Sequence, residues 1–197
     1  MIACAALGGV CFGSDLDIRV IHGTGVGRKT KNQIEAVKKY ENQKLDIFTN
    51  FDHYELPRPD MLVMDNSQSM MRYHECFDAI VTDPPYGVRA CSKKTGVKEG
   101  KVIKEVPEMN EEEKQPHFPM KETYEYTTVY QDLLINASKL LRVGGRVVFL
   151  FHTDQSLPEE KNRFPAHELF EQIAASENPL TKARSRWCIT MVKTKPF

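Results

Sequence analysis

Three short apolar runs in this chain each close on an aspartate, and that repetition limits what the chain can fold into more than any other feature. Val10 to Gly13 runs into Ser14-Asp15-Leu16-Asp17, Met61 to Met64 into Asp65-Asn66, and Phe77 to Val81 into Thr82-Asp83. Runs this short, bounded by polar breaks, suit strands buried on both faces, as in a parallel sheet. Helical patterns alternate with them. Ile2 to Leu7 is Ala-rich and ends at Gly8-Gly9, a helix can begin at Ile18 behind the acids, and Asn32 to Tyr40 carries Ile34, Val37 and Tyr40 at helical spacing. The strongest helix signal is Thr127 to Leu141, with Val129, Tyr130, Leu133, Leu134, Ala137, Leu140 and Leu141 on one face. Arg142-Val143-Gly144-Gly145 ends it, and Arg146 to Phe151 follows as a strand. Ala166, Leu169, Phe170, Ile173 and Ala174 read as a further helix, and Trp187 to Val192 as a last strand. Alternation of this kind predicts an α/β fold, an open, mostly parallel sheet with helices on both faces, in which ligands sit beyond the carboxyl ends of the strands. Asp15, Asp65 and Asp83 all fall on that rim.

Composition removes other classes. The chain has 197 residues, of which 41% are hydrophobic and 27% charged, enough apolar matter for one core and too much for a disordered chain. One domain over 1–197 is the expectation. Lys plus Arg and Asp plus Glu are both 27, so no global field draws the protein to nucleic acid and a charged partner must be met by a local patch. Five scattered cysteines with no C-x-x-C spell neither a disulfide framework nor a zinc knuckle, which suits a reducing, cytoplasmic setting. The apolar run Val147 to Phe151 is far short of the roughly 18 to 20 residues of a membrane span, so no membrane is expected. Met1 to Phe12 is apolar but has no basic residue before it, and reads as a buried helix followed by a strand. From about 90 to 122 the chain turns to lysines, prolines and the acidic run Glu111-Glu112-Glu113, the mark of a mobile insertion. Gly23 to Thr30 imitates a phosphate-binding loop, yet places Arg28 where G-x-x-x-x-G-K-[ST] requires glycine. The six histidines show no H-E-x-x-H pairing, and no metal site is expected.

The segment that carries chemistry is Asp83-Pro84-Pro85-Tyr86-Gly87, directly behind the strand Phe77 to Val81. Two consecutive prolines remove two N–H donors and fix φ, so the turn offers carbonyl oxygens in a rigid, donor-poor setting. An exocyclic amine wants that surface. Its lone pair is delocalised into the base ring, and acceptors that hold both N–H groups free it for attack. Asp83 supplies a carboxylate acceptor, the Pro84 carbonyl a second, and Tyr86 a ring to stack on a base turned out of its helix. The plain alternative is a Pro-Pro turn with an aromatic anchor, and for Asp15 or Asp65 taken singly it is a strand-end cap. Basic patches at Arg28 to Lys31, at Arg89 with Lys93 and Lys94, and at Lys182 to Arg186 could meet RNA; Arg89, three residues after Tyr86, can reach a phosphate beside the flipped base.

Asp83-Pro84-Pro85-Tyr86 resembles the [DNS]-P-P-[YFW] signature of class I S-adenosylmethionine-dependent amino-group methyltransferases, which act on exocyclic amines of bases or on a glutamine amide. Gly13-Ser14-Asp15-Leu16-Asp17, Ile21 to Gly25, Arg28 to Gln33, Asp65-Asn66-Ser67, Ile80 to Arg89 and Lys94-Thr95-Gly96, in that order, are similar to the catalytic domain of the eukaryotic tRNA (guanine(10)-N2)-methyltransferases. The resemblance covers essentially the whole chain. It implies a Rossmann-like fold, with Asp15 accepting from the cofactor ribose hydroxyls, Asp65 and Asn66 at the adenine, and Asp83, Pro84, Pro85 and Tyr86 holding the target amine. Asp17 is placed to cap the following helix. The implied cofactor is S-adenosyl-L-methionine, and the implied partners are tRNA and a small zinc-binding activator subunit. By the same resemblance the family's first strand, its glycine loop and its THUMP-type RNA-binding region precede Met1, so the chain reads as a partial catalytic domain. Three functions stand at this point: a tRNA (guanine-N2)-methyltransferase, an inactive truncated product that binds partner or RNA, and a nucleic-acid adenine-N6 methyltransferase.

Overall fold

The computed structural model describes residues 1–23, 46–68, 71–72, 74–85, 93–95, 121–123 and 126–197. They form two compact units, Met1–Asp65 and Asn66–Phe197.

The first unit opens with the short helix α1 (Ile2–Ala6), which leads into β1 (Phe12–Asp15). The strand lies two residues later than the sequence predicts, because Ser14 and Asp15 join the ladder and Val10 does not; Val10 is 98% exposed. Helix α2 (Ile18–His22) starts on Asp17, whose carboxylate accepts from the Arg19 N–H at 3.0 Å, and stops at Gly23 in the left-handed region with φ +64°. Helix α3 (Ile47–His53) escaped the sequence reading. Asp46 accepts from the Thr49 N–H at 3.0 Å while the Thr49 hydroxyl accepts from the Asp46 N–H at 3.2 Å, a reciprocal cap that satisfies two orphan donors. Its Phe51 is buried with Ala5 and Cys11 in a small core flanked by Ile2, Ile47 and Leu56. Strand β2 (Asp60–Val63) pairs parallel with β1, with Asp15 opposite Val63.

The second unit holds a four-stranded sheet in the order β3 (Phe77–Thr82), β6 (Leu141–Asp154), β8 (Arg184–Lys193), β7 (Phe170–Pro179). Strands β3, β6 and β7 run one way and β8 runs against them. Helix α4 (Tyr126–Leu140) matches its expected span within a residue. It lays Tyr130, Leu133, Leu134 and Ala137 on Val147, Phe149, Phe151, Ile189 and Met191, the inward residues of β6 and β8 at period two. The Tyr130 hydroxyl donates to the Leu150 carbonyl at 3.1 Å, so the ring is buried without an orphaned oxygen. Between Leu141 and Arg146, strand β6 bulges where the sequence places a turn. Leu141 is opposite Phe77 and Arg146 opposite Ala79, and Gly144 takes φ +82°. The segment Arg142 to Gly145 is thus both a turn and part of a long strand.

The predicted helix over 166–174 is not formed. Phe170–Pro179 is strand β7, paired antiparallel with β8. The misreading has a physical cause: Gln172 is opposite Met191 and Ala174 opposite Thr190, so Ile173 is an extra bulge residue that breaks the period-two alternation and imitates helical spacing. A one-turn helix, α5 (Glu159–Asn162), lies between β6 and β7. Of the expected insertion at 90–122, the described residues are β4 (Lys93–Thr95) in this span and its antiparallel partner β5 (Lys121–Thr123) at its far end. The helix expected over Asn32 to Tyr40 and the glycine-rich Thr24 to Thr30 lie outside the described residues. Among the described residues no helix is long and apolar enough to cross a membrane.

Candidate active site

In the first unit, parallel pairing of β1 and β2 brings both expected acids to one rim. Asp15 closes β1 opposite Val63, and Asp65 lies two residues beyond Val63 on the same carboxyl side. The Met64 N–H donates to the Asp15 carbonyl at 3.1 Å, which extends the ladder to the edge of that rim. Asp15 Oδ1 accepts from the Asp17 N–H at 2.7 Å, a turn that fixes the carboxylate's rotamer. Asp15 Oδ2 has no hydrogen-bond partner among the described residues. A half-buried carboxylate with one oxygen anchored and the other open suits a vicinal diol, the donor set of a ribose. Asp17 is committed elsewhere, to the start of α2 and to Arg19 Nε and Nη2 at 2.9 and 2.5 Å.

Asn66 opens the second unit in a single 3₁₀ turn, Asn66–Gln68. Its carbonyl and its Oδ1 both accept from Asn136 Nδ2, at 2.6 and 3.1 Å. Asn136 is a buried polar residue on the helix α4, and the sequence reading passed over it. The signal was present: an amide one residue before Ala137, on a helix whose neighbouring positions are apolar, needs a partner when buried. By donating to Asn66 Oδ1, Asn136 orients the Asn66 amide, whose NH₂ group carries the donors.

Asp83, Pro84 and Pro85 follow Thr82 at the carboxyl end of β3, an edge strand of the four-stranded sheet. Pro84 is buried while Asp83 and Pro85 are exposed, so the first proline anchors the segment and the acid is left accessible. Tyr86 and Arg89 lie outside the described residues. Lys93 and Lys94 sit in β4, opposite Thr123 and Glu122. The structure therefore places Asp15 and Asp65 on one carboxyl rim and Asp83 on another, each within its own unit.

A further strand-end acid was not foreseen. Asp154 closes β6 and is buried, with Oδ1 accepting from the Ser156 hydroxyl and N–H at 2.6 and 2.9 Å and Oδ2 from Arg184 Nε at 2.6 Å. The Ser156 hydroxyl and N–H, then Arg184, hold its pKa down at about 2. Both of its oxygens are engaged within the fold, so it braces the rim. Near it, burial above all, with Arg184 and Arg186, lowers the His152 pKa against the pull of Asp154.

No protein-family model matches the chain. Among curated proteins, it is 36% identical over 204 residues to the tRNA (guanine(10)-N(2))-methyltransferase TRMT11 of Pongo abelii and 35% identical over 204 residues to that of Homo sapiens, in each case across 100% of this chain and 41% of the relative. The protein of the same name from Dictyostelium discoideum is 36% identical over 163 residues, 81% of this chain and 31% of its own length. Among solved structures, an rRNA methylase from Streptococcus thermophilus aligns at 8% identity and TM-score 0.42, covering 94% of this chain and 89% of its own. The chain spans about two fifths of the length of the curated relatives it matches. Over its whole length the chain is thus similar in sequence to curated tRNA (guanine(10)-N2)-methyltransferases.

Proposed function

We propose that this chain belongs to the methyl-transfer domain of a tRNA (guanine-N2)-methyltransferase, acting on the exocyclic amine of guanine 10 with S-adenosyl-L-methionine as donor. The observation that carries this reading is Asp83-Pro84-Pro85 directly behind the carboxyl end of β3, a donor-poor segment with Asp83 exposed and Pro84 buried. Asp83 and the Pro84 carbonyl accept from the two N–H groups of the target amine. Those bonds draw the nitrogen toward tetrahedral geometry and localise its lone pair. The bound donor supplies an electrophilic methyl group on a sulfonium. With the donor bound, Asp83 would hold the amine so that its lone pair could take the methyl group as the sulfur leaves with the S–CH₃ pair, and would pass the amine proton to water. Asp15, through Oδ2, accepts from the ribose diol, and Asp65 and Asn66 receive the adenine. Tyr86 stacks on the extruded base, and Arg89, Lys93 and Lys94 meet flanking phosphates. The names of the relatives support tRNA as substrate, and the family resemblance supports a small zinc-binding activator subunit as partner.

The test joins a binding and a product measurement. Calorimetric titration of the chain with S-adenosylhomocysteine gives saturable heat, and incubation with undermodified tRNA, donor and activator subunit yields N2-methylguanosine in the nucleoside digest. No heat at millimolar ligand makes this chain an inactive product of the family. N6-methyladenosine without N2-methylguanosine overturns the choice of base.

A further inference from the structure

The register of the four-stranded sheet brings Arg186, from the basic patch Lys182 to Arg186, to the rim that carries Asp83. Thr82 is opposite Phe149 on β6, and Phe149 is opposite Ile189 on β8. Three residues further along β6, His152 is opposite Arg186 on β8, and Arg186 is in turn opposite Asn178 on β7. Arg186 therefore lies two strands across from the Asp83 turn, about 10 Å, and roughly 7 Å further out along the strands. Its neighbour Arg184 is bound to the buried Asp154 at 2.6 Å. Arg186 itself has no carboxylate partner among the described residues, nor has Lys182, exposed at the tip of the turn that joins β7 to β8. The turn is held by the Leu180 and Thr181 N–H groups donating to the Arg184 carbonyl at 2.9 and 3.1 Å, so the two cations project from a braced hairpin. Glu177, another carboxylate close by, accepts from the Ser185 hydroxyl at 2.6 Å.

We propose that Arg186 and Lys182 form a phosphate-holding strip that seats the RNA backbone flanking the base presented to Asp83. The inference rests on the methyl-transfer reading of Asp83 for its orientation. Its chemistry is that of the phosphodiester: Arg186 offers a planar fork of donors to phosphate oxygens and Lys182 a mobile point charge. The separation from Asp83 matches the reach of the sugar–phosphate chain beside a base taken out of its stack. Asp154 acts as a positioning residue, because by holding Arg184 it keeps the first residue of β8 in place.

The strip is tested by fluorescence anisotropy of a labelled, undermodified tRNA titrated with the chain over a salt series. Arg186→Gln weakens binding several-fold and reduces the slope of log affinity against log salt by about 0.7 to 0.9, the signature of one lost phosphate contact. Arg186→Lys keeps the slope, and Arg186→Gln with Lys182→Gln loses about twice as much; equal thermal midpoints show that the variants fold. A wild-type chain that binds no tRNA, or a slope untouched in the double variant, overturns the strip. N2-methylguanosine formed with an unchanged slope discards the strip and keeps the methyl-transfer reading. A slope that responds to Arg186 in a chain that methylates nothing keeps the strip as an RNA contact and discards the reading of Asp83.

Discussion

Asp15 commits one carboxylate oxygen to the Asp17 N–H at 2.7 Å while the other has no hydrogen-bond partner among the described residues, and this division decides what the residue can do. A strand-end cap alone would not need the second oxygen. Asp15→Asn keeps an oxygen for the turn but replaces the other acceptor with a donor, and a charge-assisted bond is worth about 1.5 to 3 kcal/mol. Calorimetry of the variant is therefore expected to show S-adenosylhomocysteine bound about 10- to 100-fold more weakly, with the fold intact. Asp83→Ala acts on the other step: methyl transfer drops by at least about 100-fold while cofactor affinity stays within a few-fold, read by single-turnover kinetics and titration. Gly145 makes a purely steric prediction. A Cβ there would stand 2.8 Å from the Arg142 carbonyl oxygen and 3.2 Å from that of Asp78, and both are backbone atoms that cannot swing aside. Gly145→Ala is expected to cost about 1 to 3 kcal/mol in urea denaturation. The sequence showed Gly144-Gly145 as a helix stop; the close approach to β3 is what makes the second glycine necessary.

At the scale of elements, the ends of β6 and β8 are secured by ions of opposite kinds. At the far end of β8, Lys193 is fully buried, and its ammonium donates to the Ser138 and Leu141 carbonyls at 2.5 and 2.9 Å and to the Glu75 carboxylate. A cation on the last carbonyls of α4 also answers the helix dipole. Lys193→Ala removes it and takes a donor from two carbonyls and from the Glu75 carboxylate, so a loss of about 2 to 4 kcal/mol is expected in equilibrium unfolding. At the other end stands Asp154. Its folded pKa of about 2 lies below the ordinary 3.8, so the unfolded state takes up a proton first as the pH falls. Its contribution to stability is full above about pH 4 and is lost as the pH drops toward 2. Thermal melts between pH 5 and 2 are expected to fall less steeply in Asp154→Asn, already destabilised, than in the wild type. Neither ion was legible in the sequence. A lysine near a chain end and an aspartate in a polar loop look solvated until tertiary contact encloses them.

For the whole molecule, the two compact units each close a core of their own, one around Phe51 and one around Tyr130, Phe149 and Ile189. Trp187, the single tryptophan, sits beside Phe164 in the second unit and reports on that unit. S-adenosylhomocysteine at a hundredfold excess over its dissociation constant is expected to stabilise the folded chain by about 2.7 kcal/mol, seen as a raised thermal midpoint. A midpoint that ligand does not move would deny the chain a cofactor site.

What the sequence by itself determined is the part governed by local chemistry: the class of fold, the strands at or just before Asp15, Asp65 and Asp83, and, within a residue, the helix over 126–140. Strand runs, an amphipathic period and prolines act through neighbours along the chain, so they can be read there. What only the tertiary structure decided are the pairings across long separations. Residues 170–179 became a strand because β8 offered a ladder and a bulge absorbed Ile173, against a helical spacing. Asn136 acquired its role from Asn66, seventy positions away, and Asp154 from Arg184. Arg186 came to the rim of Asp83 through the register of three strands. Hydrogen bonds and ion pairs of that kind exist only when folding brings their partners together, and no pattern within a single segment encodes them.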